Sequence, residues 1–499
     1  MKRQRPISVL DKTGIVLTLA VAALLRSNLN YRTAFVDEAI SLYKGWQMLH
    51  GQETYGMTTR VGWPILSYIP LGLTGWLGGL EYARGLNALF GVITVLFVMM
   101  IARKVYGQIA GYIAAGIFAV YGPAIFISTF AHSDSLSVLL VSIGIYLWVT
   151  ALTEDKNHLY PLGSLAMAFA VLTKYAAVMV AVLSVAYGTM VAVKAMTTAT
   201  KSGSEAISIR LDSGILKKLI LTGLPFLLLL LYALVFKAQL AELWQRQVLT
   251  KQSGDPNVAW EILKSFVNYL WLPLLLGLFA LDERRNRVIN MGLLVVGLSM
   301  LPYHLLNKDD STLFKFTCYM LIGLAPLAAG GVVTTLRDLV RQKLTRVKLS
   351  IVSGVIGLAV VGYLGIVGQH MLTGFRSYWS DTTELMQYLR DNVKEGDTIL
   401  MEGGMVANYY LIVKGDPGHI PQQVVDTWWY EDEEGAGKEA YERAITQKRF
   451  DFIVFDYTVT EDFNKELIPL MQDRYELRAS FPAQIYGEHG KIDVFRVIE

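Results

Sequence analysis

The sequence predicts a polytopic α-helical membrane protein carrying a soluble α/β domain at its C-terminal end. Three observations predict it. Hydrophobic residues make up 53% of the 499 positions and charged residues only 17%, a balance richer in apolar residues than a soluble core uses. Apolar runs of near-crossing length, ~20 residues, recur through the first 370 positions with almost no charge inside them. Near 371 the composition turns to that of an ordinary soluble chain, with patterns of helix and strand length. The expected division is a transmembrane domain over 1–370 and an α/β domain over 371–499.

The first apolar run, 13–30, has no small-residue cleavage site and is followed by further membrane segments. It therefore reads as a retained helix and not as a signal peptide. Crossing segments follow at 83–102, 108–129, 134–152, 175–193, 219–236, 263–281, 288–306, 313–334 and 349–370, with a shorter run at 159–173. If that short run also crosses, about eleven spans result, although it falls short of the ~17 residues that are the usual lower limit. Charge supports it. The basic groups Lys2, Arg3 and Arg5; Arg103 and Lys104; Lys156; the stretch Lys194 to Lys218; Arg284, Arg285 and Arg287; and the stretch Arg337 to Lys348 then share one side. The positive-inside rule makes that side cytoplasmic. Without the short helix, Lys201, Arg210, Lys217 and Lys218 would turn outward.

The same reasoning treats 63–80. It is apolar enough to cross but carries Pro64, Pro70 and several glycines, and a crossing there would turn Arg103 and Lys104 outward. It reads as an interfacial or re-entrant piece of a long first outer loop, 31–82, that contains interfacial helices. The N-terminus is then cytoplasmic and the C-terminal domain extracytoplasmic, on a multi-pass protein of a bacterial-type cytoplasmic (inner) membrane. The single cysteine, Cys318, lies in an apolar run, which leaves no disulfide framework or thiolate metal site.

Asp37, Glu38, Arg60, Arg84, His132, Asp134, Lys174, His304, Lys308, Asp309, Asp310 and Lys315 all fall at outer helix ends or in outer loops, and none lies near the middle of a span. Charge at the bilayer centre costs at least ~2.5–3.5 kcal/mol and marks ion or proton paths, so its absence argues against an ion-coupled transporter. Acids and bases gathered at one interface suit an enzyme whose lipid-anchored substrate presents its head group there. The plain alternative is that they anchor helix ends by snorkelling. A transporter or scramblase of lipid-linked sugars remains the competing class, and a non-catalytic glycan-binding membrane protein the third. Nucleic acid is not expected as a partner.

Asp37 and Glu38 open an amphipathic stretch directly after the first helix. Two readings stand. Acids favour helix N-termini by ~0.3–1 kcal/mol, and a pair of carboxylates can supply a general base beside a helper that orients the acceptor or binds a metal.

The order of short motifs resembles the GT-C class of membrane glycosyltransferases, in the branch of the protein O-mannosyltransferases and the lipid A aminoarabinose transferase. The Asp37-Glu38 pair is followed by Gly51, Gln52, Glu53, Thr54 and Tyr55, then by the Pro-containing stretch Trp63, Pro64, Ile65, Leu66, Ser67 and Tyr68. Arg84 opens the next helix, Asp134 opens a later one after His132, and Leu172-Thr173-Lys174 joins two short helices. Lys315 precedes Tyr319 and Pro326 late in the membrane part. The resemblance spans about 35–330 in order. There are departures. Where the lipid A enzymes carry an acidic-basic-Pro triplet, this chain has Arg60-Val61-Gly62-Trp63-Pro64 without the acid, and the second proline of the mannosyltransferases is missing.

The resemblance implies transfer of a sugar, hexose or pentose, from a polyprenyl-phosphate donor to a hydroxyl on a lipid, glycan or protein acceptor, with inversion at the anomeric carbon. It makes Asp37 the catalytic base, with Glu38 and Asp134 orienting acceptor or sugar or holding a divalent cation, the one cofactor in view. Arg84 leads at the donor phosphate, since a guanidinium can grip phosphate through two parallel bonds, with Lys174, Lys315 and Arg60 behind it. His132 and His304 are either acceptor or metal contacts or hydrogen-bonded interfacial histidines.

The C-terminal part reads as a helix at 382–392, a strand at 398–401, a helix at 438–448, a strand at 450–455, a helix at 460–472 and strands at 475–481 and 492–498. Asp426, Thr427, Trp428, Trp429 and Tyr430 are similar to the Trp-Trp-Asp-Tyr-Gly signature of oligosaccharyltransferases but lack its Asp and Gly. That leaves an aromatic sugar-stacking patch or a packed turn. Gly403-Gly404 is too little for a nucleotide fingerprint.

Overall fold

The computed structural model describes residues 9–52, 65–200, 213–245, 257–283, 286–340, 346–416, 418–426, 430–458, 460–485 and 488–499. The N-terminal helices are α1 (Val9–Leu24), α2 (Val36–Leu49), α3 (Ile65–Gly78), α4 (Leu80–Tyr106), α5 (Gln108–Val120), α6 (Gly122–Ser128), α7 (Asp134–Glu154), α8 (Leu159–Thr173) and α9 (Ala177–Thr200). They are followed by α10 (Ser213–Gly223), α11 (Phe226–Val235), α12 (Lys237–Trp244), α13 (Val258–Leu278), α14 (Arg287–Leu298), α15 (Met300–Asn307), α16 (Leu313–Val340) and α17 (Arg346–Arg376). Among the described residues seven helices are long and apolar enough to cross a membrane, or eight if the bent pair α5–α6 counts as one span. Shorter helices occupy the remaining expected positions, Val9–Leu24 and Leu159–Thr173 among them.

The run expected as one helix at 108–129 is broken. α5 and α6 meet at 67°, because Pro123 has no N–H to continue the ladder and instead starts a new helix after the extended Tyr121. Gly122 also lies so close to Gly368 that an added Cβ would come within 2.4 Å of its carbonyl oxygen. α4 is bounded at both ends by glycines in the left-handed region, Gly79 (φ 82°) and Gly107 (φ 99°), where a side chain is disfavoured. α3 has 14 residues, about 21 Å of helix, too short to cross. It packs instead against α2, with Gly45 and Gly72 in backbone contact.

α16 runs through the middle of the helical part, with Leu321, Ile322, Leu324, Ala325 and Ala328 fully buried. Gly323 and Gly331 let the backbones of α14 and α13 approach it, at Leu293 and Leu276, the small-residue contact usual between membrane helices. α11 by contrast exposes Leu227, Leu228, Leu230, Leu231 and Leu234, a face suited to lipid.

At one end of the bundle ion pairs draw the basic loops together: Arg103–Asp11, Lys104–Glu154, Lys218–Asp155 and Arg337–Glu283. The opposite end carries α2, α3 and the C-terminal domain. One charged residue inside the first expected span is wholly enclosed. Arg26 donates to the carbonyls of Ala22 and Ala119 and to Ser128 Oγ, at 2.8–3.1 Å.

The C-terminal domain contains α18 (Thr383–Asn392), β1 (Thr398–Met401), α19 (Gly404–Ala407), β2 (Gln423–Asp426), β3 (Glu431–Asp432), β4 (Gly435–Ala436), α20 (Lys438–Thr446), β5 (Phe452–Asp456), α21 (Glu461–Met471), β6 (Tyr475–Ile485) and β7 (Glu488–Val497). Its five-stranded sheet has the order β2-β1-β5-β7-β6. β1 runs parallel to β2 and β5, and β7 antiparallel to β5 and β6. β2, β3 and β4 go beyond the sequence reading. They are too short for alternation to show. Tyr430 packs on Tyr441 and Phe450, while Trp428 and Trp429 lie outside the described residues.

This domain is welded to the membrane part. Leu42, Leu71 and Ala83 share one apolar core with Leu385, Met386, Leu389, Val406 and Tyr409. Tyr410 Oη accepts the Ala34 N–H, the Trp379 indole donates to Thr33 O, and Lys414 Nζ donates to Trp76 O. The helix bearing Asp37 is thus clamped from above.

Candidate active site

Asp37 and Glu38 sit in the first turn of α2, ~100° apart around the helix. Consecutive acids must therefore face different surroundings. Glu38 turns inward. Its carboxylate accepts from Arg84 Nε and Nη2 at 2.8 and 2.6 Å, from Ala131 N at 2.8 Å and from Phe35 N at 3.1 Å. The last bond closes the start of the helix, so the capping reading of this acid holds.

Arg84 is equally committed. Beyond Glu38, Nη1 donates to the carbonyls of Leu29 and Arg32 at 2.8 and 3.0 Å, and Nη2 to Thr33 O at 3.4 Å. Its guanidinium also lies 4.1 Å over the Tyr31 ring. All five N–H donors of an arginine are taken, and neither Arg84 nor Glu38 reaches solvent. Arg84, expected at the donor phosphate, is in this geometry a buttress of α2. The physical reason is that a buried carboxylate demands a buried cation.

Asp37 faces the other way, into a cluster drawn from four elements. Lys315, at the start of α16, reaches Asp37 Oδ2 at 3.0 Å. Ser41, one turn along α2, donates to the Asp37 carbonyl and lies 2.8 Å from His132 Nδ1. His132 Nε2 lies 3.1 Å from Lys174 Nζ. Lys174 and His132 approach Asp134 at 3.6 and 3.9 Å. An ammonium can only donate, so His132 Nε2 accepts from Lys174. Asn87 Nδ2 holds the His132 loop by donating to Phe130 O and His132 O at 2.5 and 2.8 Å. Lys315 Nζ also lies 5.4 Å over the Phe130 ring.

Exposure separates these groups. The Asp37 side chain is 36% open and that of Lys315 13%, whereas Asp134 and His132 are enclosed at 2% and 5%. Burial works against the Asp37 charge, but the Lys315 ammonium, aided by Lys174, outweighs it and holds the carboxyl below the usual carboxylate range. For His132 burial acts first and Lys174 adds to it, lowering the imidazole to about 4 against the pull of Asp134 and Asp37.

Residues 79–204 match a family model described as dolichyl-phosphate-mannose-protein mannosyltransferase. Over the whole chain the fold is that of solved membrane glycosyltransferases. ArnT from Cupriavidus metallidurans, bound to undecaprenyl phosphate, superposes with a TM-score of 0.58 at 13% identity, over 97% of this chain and 97% of that one. The chain has the fold of these membrane glycosyltransferases.

The archaeal oligosaccharyltransferase AglB from Archaeoglobus fulgidus, in complex with an inhibitory peptide and a dolichol-phosphate, gives 0.58 at 12% identity, over 97% of this chain and 74% of that one. The arabinofuranosyltransferase AftD from Mycobacteria gives 0.54 at 13%, over 99% of this chain but 40% of its own. No curated protein matches by sequence. The matched stretch 79–204 contains Arg84, His132, Asp134 and Lys174; Asp37 and Lys315 lie outside it.

Of the GT-C residues expected from sequence, Asp37, Asp134, His132, Lys174 and Lys315 come together, and Glu38 and Arg84 form the pair behind them. His304 stands apart: it is buried beside Tyr303 and Phe316, with Nδ1 2.6 Å from the Asp309 carbonyl oxygen. Arg60 lies outside the described residues. Ser41, Asn87 and Tyr31 were not singled out from sequence. Ser41 was accessible in principle, since i+4 on a helix shares a face with Asp37.

The donor set does not suit a divalent cation. Among the described residues no three His, Cys, Asp or Glu side chains converge on a metal position, and the ammonium groups of Lys315 and Lys174 already lie against Asp37 and Asp134, where they would repel a cation.

Proposed function

We propose that this chain is an inverting glycosyltransferase that moves a sugar from a polyprenyl-phosphate carrier to a hydroxyl acceptor, with Asp37 as general base. The observation that carries the reading is the pairing of a part-open carboxylate with a lysine ammonium 3.0 Å away, in a cluster that a second lysine, Lys174, joins through His132 and Asp134. A transfer of this kind needs a base on one side of the anomeric carbon and cations on the other. The matched family and the fold relatives, with bound undecaprenyl phosphate and dolichol-phosphate in two of them, support the donor class.

The chemistry is as follows. Asp37 takes the acceptor hydroxyl proton while that oxygen bonds to the anomeric carbon. The bond from that carbon to the phosphate oxygen breaks, and its electron pair leaves on polyprenyl phosphate. Lys315 and Lys174 receive the growing phosphate charge. A donor phosphate that draws Lys315 away from Asp37 also removes the main force holding that carboxyl ionised, so donor binding itself raises the affinity of Asp37 for a proton. Base strength appears when the substrate is in place. Glu38, Arg84 and Asn87 act by positioning. The C-terminal domain and the Asp37 chamber are assigned to the extracytoplasmic face, opposite the basic loops.

The test is turnover by the purified full chain in lipid nanodiscs, read as acceptor-dependent release of free polyprenyl phosphate from a polyprenyl-phosphate sugar. Movement of the intact lipid-linked sugar across a bilayer with no release would replace this reading with a scramblase.

A further inference from the structure

A cavity opens beside Arg84. It has a volume of about 470 Å³ and lies in the seam between the Asn30–Thr33 turn, the Gly78–Glu81 elbow at the start of α4, Asp381, and the face of α18 that carries Gln387 and Arg390. Small-molecule sites fall at ~300–1,000 Å³ and favour domain seams.

The wall chemistry narrows the ligand. Glu81 and Asp381 bring two carboxylates, Arg32 and Arg390 two guanidinium groups, and Asn30, Thr33, Thr383 and Gln387 amides and hydroxyls. Arg84 also lines the wall, but its charge is matched by Glu38. The charges balance, so there is no net field to hold a lone phosphate. Interleaved donors and acceptors instead fit adjacent hydroxyl groups, each of which donates and accepts. Tyr31, Leu80, Met386 and Tyr410 complete the lining with apolar and aromatic surface, against which the C–H face of a sugar ring can pack.

The position ties the cavity to the catalytic helix. Thr33 lines it, and Asp37 is four residues further along the chain, so at most ~14 Å of backbone separates them. We propose that this cavity is a subsite for a sugar unit of the acceptor, and that the acceptor is therefore a carbohydrate. This rests on the transferase reading above. The reacting hydroxyl lies at Asp37 while a neighbouring sugar is held between α18 and the α4 elbow.

The test uses the full chain in nanodiscs with mannobiose, galactobiose and arabinobiose as probes, and phosphoethanolamine and a serine tripeptide as controls. Binding is read by ligand-observed NMR, and polyprenyl-phosphate release is followed in parallel. Thr383→Trp and Gln387→Trp, both on the exposed face of α18, fill the cavity, and an unchanged Tm shows that the fold is kept. The expected result is binding of at least one disaccharide, weakened tenfold or more in both variants, with disaccharide-stimulated release in wild type lost in the variants. Binding of no disaccharide, equal binding in the variants, or binding of phosphoethanolamine or the tripeptide alone overturns the proposal. Wild type and variants that release polyprenyl phosphate equally well remove the subsite and leave the transferase intact. Disaccharide binding with no release in any form removes the acceptor role together with the transferase reading.

Discussion

The Arg84 guanidinium meets the Glu38 carboxylate side-on, with bonds of 2.8 and 2.6 Å and neither side chain open to solvent. Glu38 therefore fixes the helix on which its neighbour Asp37 stands. Breaking a buried pair from one side leaves an unpaired charge and costs about 3–5 kcal/mol. Glu38→Gln and Arg84→Lys should each lower the Tm and reduce turnover while leaving donor affinity nearly unchanged. Equilibrium binding of polyprenyl phosphate together with a thermal melt checks this. Weakened donor binding at unchanged Tm would return Arg84 to the phosphate.

Lys315 is assigned to both Asp37 and the leaving phosphate. Lys315→Met should cut turnover by roughly 10²-fold or more, about 2.7 kcal/mol of barrier, and should also weaken donor binding. Lys315→Arg should retain part of both. Single-turnover kinetics separates the two effects, and a variant altered in neither would take Lys315 out of the site.

The pH dependence follows from the sign of the Asp37 shift. Its carboxyl is held below the usual range, so the base stays ionised through the neutral and mildly acidic range, and kcat/KM of the free enzyme shows no acid limb from it there. The stability this pairing contributes is present above the unfolded carboxylate pKa, ~3.9, and is lost only as pH falls through the lower folded value. Removing the ammonium in Lys315→Met should move an acid limb up into the measurable range. A pH-rate profile identical to wild type would mean that Asp37 is not the titrating base.

In the C-terminal domain burial pushes Glu402 up to about 7, with Asp456 adding to it and bonds from Thr460 and Asn464 opposing. A raised acid contributes stability below its unfolded pKa that is lost as pH rises through the folded one. Glu402→Gln should therefore melt with wild type near pH 5 and above it near pH 8, as buffer-matched thermal scans would show. A Cβ added at Gly403 would lie 3.5 Å from Val36 Cγ2 in the first turn of α2, so this titration sits near the helix that carries Asp37.

Much of this was legible in the sequence, for physical reasons. Runs such as 134–152 and 159–173 reappear as Asp134–Glu154 and Leu159–Thr173, because hydrophobic length alone specifies a membrane helix. The break at Tyr121 was masked by unbroken hydropathy on both sides of Pro123, which a composition window does not resolve. In the site, Asp37, Lys315, Lys174, His132 and Asp134 were all named, because charged groups at membrane-helix ends are few and each needs a reason to be there. What the chain order could not show was direction. The residues that separate Glu38 from Asp37 are contacts made across 46 and 278 positions, and only the fold decides that the arginine goes to one acid and the lysine to the other. Ser41 and Asn87 were missed because uncharged polar residues in helices are too common to stand out.

The most direct test of the account is Asp37→Asn in the purified full chain. The change is nearly isosteric and removes the base without emptying the chamber. The account predicts that the variant keeps its Tm and its binding of polyprenyl phosphate while release from the lipid-linked sugar falls by roughly 10²–10⁴-fold, the range for a lost general base. Turnover near the wild-type rate would contradict it and move the base elsewhere, with Asp134 the next carboxylate to test.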